Sequence, residues 1–481
     1  MASSVEAGDL QTRPHARIVL DVGKTTLKLV AVAPDGRFLT SRTAPNEPSV
    51  RGLYPSLDVE HVWRWLMAAL ADLGERYRID AIVPCAYGST AALIDDHDLV
   101  TPIMDYEAIP PPEIAAAYAA EAPPFDECLC PINPMALTLG RQLFWIEQVL
   151  PLAFERARWI LPHAQYWTWR LCGAVVSEIT SMGAQTQLID PRNGNPSSLA
   201  LAKSWNEKFP DRTKATEVAG RLRPEIVDTC QLSEDAPVLV GIHDSNANYA
   251  RYLAAVLDDI TLISSGTWLI LFNPAAGLDR LVPDRDTCTN NDLEGRPVAC
   301  ARFMGGREYA LVAGEAGLDA TPTSADIQAV IDDGLMVLPS FSDSGGPFPG
   351  TGGRGTIDPK ILAMGASGRA AAAVLYTALV TDTCLELLAS KGEIIVDGSF
   401  ADNALFLGLL KTLREDQPVW ASRERHGTAI GAAGLVDWDC RDALVPLDLE
   451  AVTALRLTGL ERYREKWQQA VRVHGQSAAS D

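Results

Sequence analysis

No run of 18 apolar residues occurs anywhere in the 481-residue sequence, so nothing in it is expected to span a bilayer. The opening stretch, MASSVEAGDLQTRPHAR, lacks the apolar core of a secretory signal; residues 1–16 are expected to form a disordered tail and the protein to be cytoplasmic. Cysteine is present in an odd number, nine, and only Cys128 and Cys130 are close in sequence. Their C-L-C spacing is wrong for a CxxC dithiol or a zinc knuckle, and no His/Cys cluster lies nearby, which leaves buried, reduced thiols as the expectation. Positive charge is short: 41 Lys and Arg against 62 Asp and Glu give a net charge of −21. Such a surface repels nucleic acid phosphates and anionic membranes, so neither is an expected partner. A nucleotide is not excluded, because backbone N–H groups and Mg²⁺ act at shorter range than the global field.

What remains is a chain rich enough in apolar residues, 47%, to fold, and too long for one ordinary core. It opens as RIVLDVGKTTLKLVAVAPDGRFL, two apolar runs around a Gly-Lys-Thr-Thr turn and a third strand after Pro34-Asp35-Gly36. A Rossmann start would put a helix, not a second strand, after the glycine turn. VEHVWRWLMAALADLGERY then carries apolar residues at helical spacing and precedes the buried strand IDAIVPCA. This βββαβ order predicts an α/β fold of actin-like, ribonuclease H-like type. The second half repeats the grammar: ITLISSGTWLILFNP is again strand, small-residue turn, strand. RAAAAVLYTALVTDTCLELLAS predicts a long amphipathic helix, and the glycines from 345 to 355 a surface loop. Two like domains with an interdomain catalytic cleft are therefore expected, spanning 17–253 and 254–445, followed by a helical extension over 446–481.

Four segments carry candidate chemistry. In Asp21-Val22-Gly23-Lys24-Thr25-Thr26 the turn residues can offer N–H groups and hydroxyls to a phosphate, Asp21 can hold a Mg²⁺-bound water, and Lys24 can neutralise a phosphate oxygen. By itself the segment fits an ordinary hairpin equally well. Ser264-Ser265-Gly266-Thr267-Trp268 has the same construction, and the pair is more specific for an ATP site than either alone. Asp244, in Gly241-Ile242-His243-Asp244-Ser245-Asn246, ends an apolar strand and opens a helix. It fits a helix N-cap, and it equally fits a carboxylate that accepts a proton from a hydroxyl during phosphoryl transfer. Asp397-Gly398-Ser399-Phe400-Ala401-Asp402-Asn403 stops a strand at a glycine, where a nucleotide can approach the backbone and Asn403 can meet it. The small-residue helix from His426 to Gly434 would pack tightly, with adenine as one candidate neighbour.

In this order the segments resemble those of the FGGY carbohydrate kinases, over roughly residues 17–440. DVGKTT and ISSGTW are similar to the family's two phosphate motifs, VDGSFADN to its adenosine motif, and the Asp of GIHDSNAN to its catalytic base. His243-Asp244, ISSGTW, Thr289-Asn290 and FMGG at Phe303–Gly306 are most similar to the rhamnulokinase-like members. The resemblance implies a Mg²⁺- and ATP-dependent sugar kinase acting on a ketose of the L-rhamnulose or L-fuculose type. It implies Asp244 as base; Asp21 and Asp244 toward Mg²⁺; Gly23, Lys24, Thr25, Thr26, Ser265, Gly266, Thr267, Gly306, Gly398, Ser399 and Asn403 toward ATP; and Tyr87, Gly88, Asp105, Tyr106 and His243 toward the sugar. A homodimer is compatible with it. The first motif departs from the common GTTSxR form, with Lys28 where Arg is frequent, and CAYGST and MDYEA replace the usual GQxHG and WxD. A catalytically silent sugar sensor and a phosphohydrolase on the same scaffold stay open as alternatives.

Overall fold

The computed structural model describes residues 13–232, 236–257, 259–343, 346–443 and 446–477. Most of the expected tail, residues 1–12, and Gly345 of the glycine-rich loop lie outside them. The chain divides into two compact units. The first comprises residues 1–256, 290–297 and 426–446; the second comprises 257–289, 298–425 and 447–481. Two segments distant in sequence thus rejoin the first unit, the later one for a packing reason given below.

The first unit is built on β1 (His15–Val22), β2 (Thr26–Val32), β3 (Phe38–Pro45), α1 (Val59–Arg76) and β4 (Arg78–Ala86). Ala16 to Val22 are buried without interruption, as expected of a central strand covered on both faces. β1 pairs antiparallel with β2 and parallel with β4. The sheet runs β3-β2-β1-β4, then Pro237–Leu239 and Val218–Arg221, and the short strand Ile242–His243 also pairs with β4. α1 starts where the Asp58 carboxylate accepts from His61 N at 2.9 Å. Its buried residues Val59, Val62, Leu66, Leu70 and Leu73 follow the helical period and close one face of the core. The helix Gly427–Gly434 lies in this unit too. Its Ala429, Ala432 and Ala433 share a buried cluster with Val19, Ala247 and Ala250, and Arg17 is bonded to Ala433 O and Asp437. Small side chains permit that close approach, and they account for residues 426–446 leaving the second unit. The neighbour of this helix is the helix that begins at Asp244, because a Cβ on Gly427 would reach Asn248 and Arg251.

The second unit repeats the hairpin-plus-parallel-strand arrangement. Ile260–Ser265 pairs antiparallel with Leu269–Asn273 and parallel with Glu393–Gly398. Its sheet continues through Val419–Ser422 to Leu449–Ala451 on one side and through Pro297–Phe303 to Thr287–Asn291 on the other. The long helix Gly365–Leu387 differs from the amphipathic expectation, since residues Ala370–Leu385 are all buried. It is long and apolar enough to cross a bilayer, but 89% of its most apolar window is covered by the rest of the unit. The C-terminal helix Leu460–Ser477 docks here through Tyr463 Oη to Leu335 O, 2.6 Å, and Trp467 Nε1 to Val337 O, 2.7 Å.

Candidate active site

In the first unit, sheet register brings the chemistry to one end. Asp21 stands opposite Lys28 on β2 and Cys85 on β4, while Ala86 stands opposite His243. Asp244 follows as the first residue of its helix, Asp244–Ala254. It is not the N-cap; His243 occupies that place, and the Asp244 carboxylate turns back on its own neighbours. Its Oδ1 accepts from Ser245 N at 2.6 Å and lies 3.2 Å from His243 Nε2. Its Oδ2 has no protein partner among the described residues. Asp21 is buried and its carboxyl is pushed up to about 6, first by desolvation. Lys28 Nζ, 3.4 Å away, opposes that shift, and the charge of Asp244 adds to it.

His243 is held both at its ring and at its backbone. Asn246 donates its amide nitrogen to Asn291 O at 2.6 Å, which turns Asn246 Oδ1 toward His243 Nδ1 at 2.7 Å. The facing atom is an acceptor, so Nδ1 carries a proton. The backbone N–H of His243 donates to Thr180 Oγ1 at 3.2 Å, and Thr180 Oγ1 donates to Glu178 Oε2 at 2.6 Å. Glu178 is fully buried and also accepts from the Thr180 and Ser181 amides. Burial pushes its carboxyl up to about 7 despite those bonds. Gly88 lies against the same ring; a Cβ there would stand 2.6 Å from His243 Nε2.

The remaining sugar-side candidates join this group. Tyr87 packs edge-on against Tyr106 at 5.5 Å and against His163 at 4.3 Å. Burial, followed by Asp105, holds the Tyr87 phenol well above its usual range. Asp105 accepts Lys24 Nζ at 2.8 Å and Glu107 N at 2.9 Å. Lys24 also lies 3.5 Å from Glu107 and 5.5 Å from the Tyr106 ring centre. Tyr87, Gly88, Asp105, Tyr106, His243 and Asp244 therefore form one connected set, with Lys24 attached to its Asp105 end. The turn itself is closed by Gly23 N to Thr26 O, 3.2 Å, and braced by Asn46, which bonds Gly23 O and Thr25 O. The first of these bonds commits the Gly23 N–H within the turn.

In the second unit a cavity of about 700 Å³ is lined by Gly266, Thr267, Gly306, Arg307, Tyr309, Ser399, Phe400 and Asn403. Five of these are nucleotide-side candidates from the sequence. Ser265 and Gly398 lie behind the lining. Ser265 Oγ donates to Asp397 O at 2.5 Å and accepts from Phe400 N at 2.9 Å, tying the two turns together. Gly266 N closes its own hairpin on Trp268 O at 2.8 Å. Asn403 Oδ1 caps the helix Ala404–Leu413 through Phe406 N at 3.0 Å. The helix carrying Gly306, Arg307 and Tyr309 is anchored by Glu308, which accepts from Ser342 N at 3.1 Å and from the Tyr376 hydroxyl.

Among the described residues no three His, Cys, Asp or Glu side chains cluster to hold a metal. Mg²⁺ does not need such a cage, since it commonly takes one or two carboxylates and completes its shell with water and substrate phosphate. Asp21 and Asp244, two adjacent carboxylates with Lys28 as the cation beside Asp21, fit that requirement.

Comparison with known proteins gives a consistent result. The model of the FGGY family of carbohydrate kinases, N-terminal domain, matches residues 16–249, and that of carbohydrate kinase FGGY, C-terminal domain, matches residues 257–443. The crystal structure of a carbohydrate kinase from Novosphingobium aromaticivorans is similar over 96% of this chain and 99% of its own, with 33% identity and a TM-score of 0.84. A xylulose kinase from Lactobacillus acidophilus, 15% identical over 97% of this chain and 98% of its own at a TM-score of 0.77, shares the fold. L-fuculokinase of Escherichia coli (strain K12) is 24% identical over 283 residues, 54% of this chain and 57% of that protein. The chain thus spans little more than half the length of the curated relatives it matches.

Proposed function

Because the chain belongs to the FGGY family of carbohydrate kinases, we propose that it transfers the γ-phosphoryl group of ATP to a hydroxyl of a ketose. The similarity to an L-fuculokinase supports a sugar of the L-fuculose or L-rhamnulose type. The sugar is assigned to the first unit, along Asp105, Tyr106, Tyr87, Gly88 and His243. The nucleotide is assigned to the second unit, in the cavity of Gly266, Thr267, Gly306, Ser399 and Asn403.

The observation that carries this reading is the free oxygen of Asp244 at the end of the connected sugar-side set. A sugar hydroxyl is a weak nucleophile, and Asp244 Oδ2 accepts its proton as the bond to phosphorus forms. Oδ1 is held by Ser245 and faced by His243, which fixes the direction of Oδ2. Asp21 and Asp244 would hold Mg²⁺, which supplies charge neutralisation for the phosphates when bound. A cytoplasmic site of action is supported by nine free cysteines.

The test is ADP release with Mg·ATP across ketoses, aldoses and polyols, with no-sugar and Asp244→Ala controls. Turnover with one sugar class, lost in the variant, is expected. ADP release that is independent of sugar would overturn the proposal in favour of a hydrolase.

A further inference from the structure

We propose that Lys24, although it stands in the first glycine turn, serves the acceptor side of the site: its ammonium positions Asp105 and Tyr106 for the sugar instead of neutralising a phosphate. The inference rests on the kinase reading above and refines it.

Three contacts converge on this one ammonium. Asp105 Oδ2 lies at 2.8 Å, Glu107 Oε2 at 3.5 Å and the centre of the Tyr106 ring at 5.5 Å. Both ends of the shorter ion pair are shielded, with the Lys24 side chain 19% and the Asp105 side chain 7% exposed. A buried carboxylate whose cation leaves is strongly destabilised, so Lys24 cannot swing to a phosphate without a large penalty at Asp105. Asp105 Oδ1 is taken by Glu107 N, so Lys24 is the partner that fixes the second oxygen. An ammonium has three N–H donors. One is given to Asp105 here, and Glu107 adds only charge attraction at 3.5 Å, so the ammonium keeps donor capacity for a hydroxyl of the acceptor. Tyr106, under the same cation, packs on Tyr87, and Gly88 next to it touches His243. A shift of Lys24 is thereby transmitted to the sugar-facing groups. Lys28, by contrast, faces Asp21, the carboxylate assigned to the metal, and it is 48% exposed.

The experiment compares wild type with Lys24→Met. KM is measured for the acceptor, and Kd for Mg·ATP is measured by calorimetry without acceptor. The expected result is an acceptor KM raised about tenfold or more, as for loss of one charged hydrogen-bonding partner, with Mg·ATP affinity changed less than about twofold. Asp105→Asn and the double variant complete a cycle, and a less than additive effect on acceptor KM is expected. A tenfold weaker Mg·ATP affinity with unchanged acceptor KM would overturn the inference, as would strict additivity with Asp105→Asn. If Lys24→Met does not fold, Lys24→Arg keeps the charge but not the compact ammonium and is read by the same two constants. Wild type that turns over no sugar defeats the kinase reading. The Mg·ATP arm then still decides Lys24, since unchanged affinity supports its exclusion from phosphate and a tenfold loss overturns it.

Discussion

Nδ1 of His243 faces Oδ1 of Asn246 at 2.7 Å, and the amide of Asn246 is itself oriented by its bond to Asn291 O. Two bonds on one side of the imidazole thus determine which ring nitrogen is presented to Asp244 on the other. Nε2 lies 3.2 Å from Asp244 Oδ1, the oxygen that accepts from Ser245 N, and Oδ2 is left for a substrate proton.

Replacing Asp244 by Asn keeps the shape and removes the basicity. kcat is expected to fall about 10²–10⁴-fold, the range of general-base catalysis. ATP is still expected to bind, since the second-unit cavity is untouched and Asp21 is left to hold Mg²⁺. Steady-state kinetics and calorimetry on the same preparation check both halves.

Gly88 leaves no room for a methyl group, because a Cβ would stand 2.6 Å from Nε2 and 2.9 Å from Cδ2 of His243. Gly88→Ala is expected to displace the ring and to raise acceptor KM more than it changes Mg·ATP affinity. Kinetics at varied sugar and fixed nucleotide tests this.

Gly398 combines a φ of 85° with a position where a Cβ would overlap Ser265 O. Gly398→Ala is expected to cost about 1–3 kcal/mol in stability and to separate the two turns that Ser265 ties together. Lower thermal stability and weakened nucleotide binding should appear together. A variant with normal binding would show that the turn tolerates the shift.

Glu178 gives a pH dependence of stability. Burial raises its carboxyl in the folded chain to about 7 from its ordinary 4.5. Between those values the unfolded chain releases the proton while the folded chain keeps it, so the Glu178 contribution to stability falls as pH rises through that window. Glu178→Gln removes this term. Its melting temperature relative to wild type is expected to rise from pH 4.5 to pH 7 and to level off above. A constant difference across that range would contradict the assignment.

Much of the fold was legible locally. Uninterrupted apolar strands around Gly-Lys-Thr-Thr and Ser-Gly-Thr announced two hairpins, and the strand ends at Asp21, Asp244 and Gly398 announced where chemistry could sit. Composition was less reliable for the helix Gly365–Leu387, because burial on every side depends on the elements around it. Asn46, Glu178, Thr180, Asn246 and Asn291 carried no signal of their own. Polar residues are common in loops, and only a folded chain shows which of them are buried and bonded to the site. Arg307 and Tyr309 were nearer to reach, since they follow the Gly305-Gly306 pair at a helix start.

The sequence by itself determined the family, the doubled strand–turn–strand plan and the identity of the candidate base, because these depend on patterns a few residues long. Only the tertiary structure decided what each charged group faces. Lys24 reads as a phosphate ligand from its turn, yet it is paired with a carboxylate 81 residues away. Residues 426–445 lie within the second domain expected from the sequence, yet they pack with the first unit, where small side chains fit against the Asp244 helix. Ion pairing and close packing depend on distance in space, and the fold sets that distance between residues far apart in the chain.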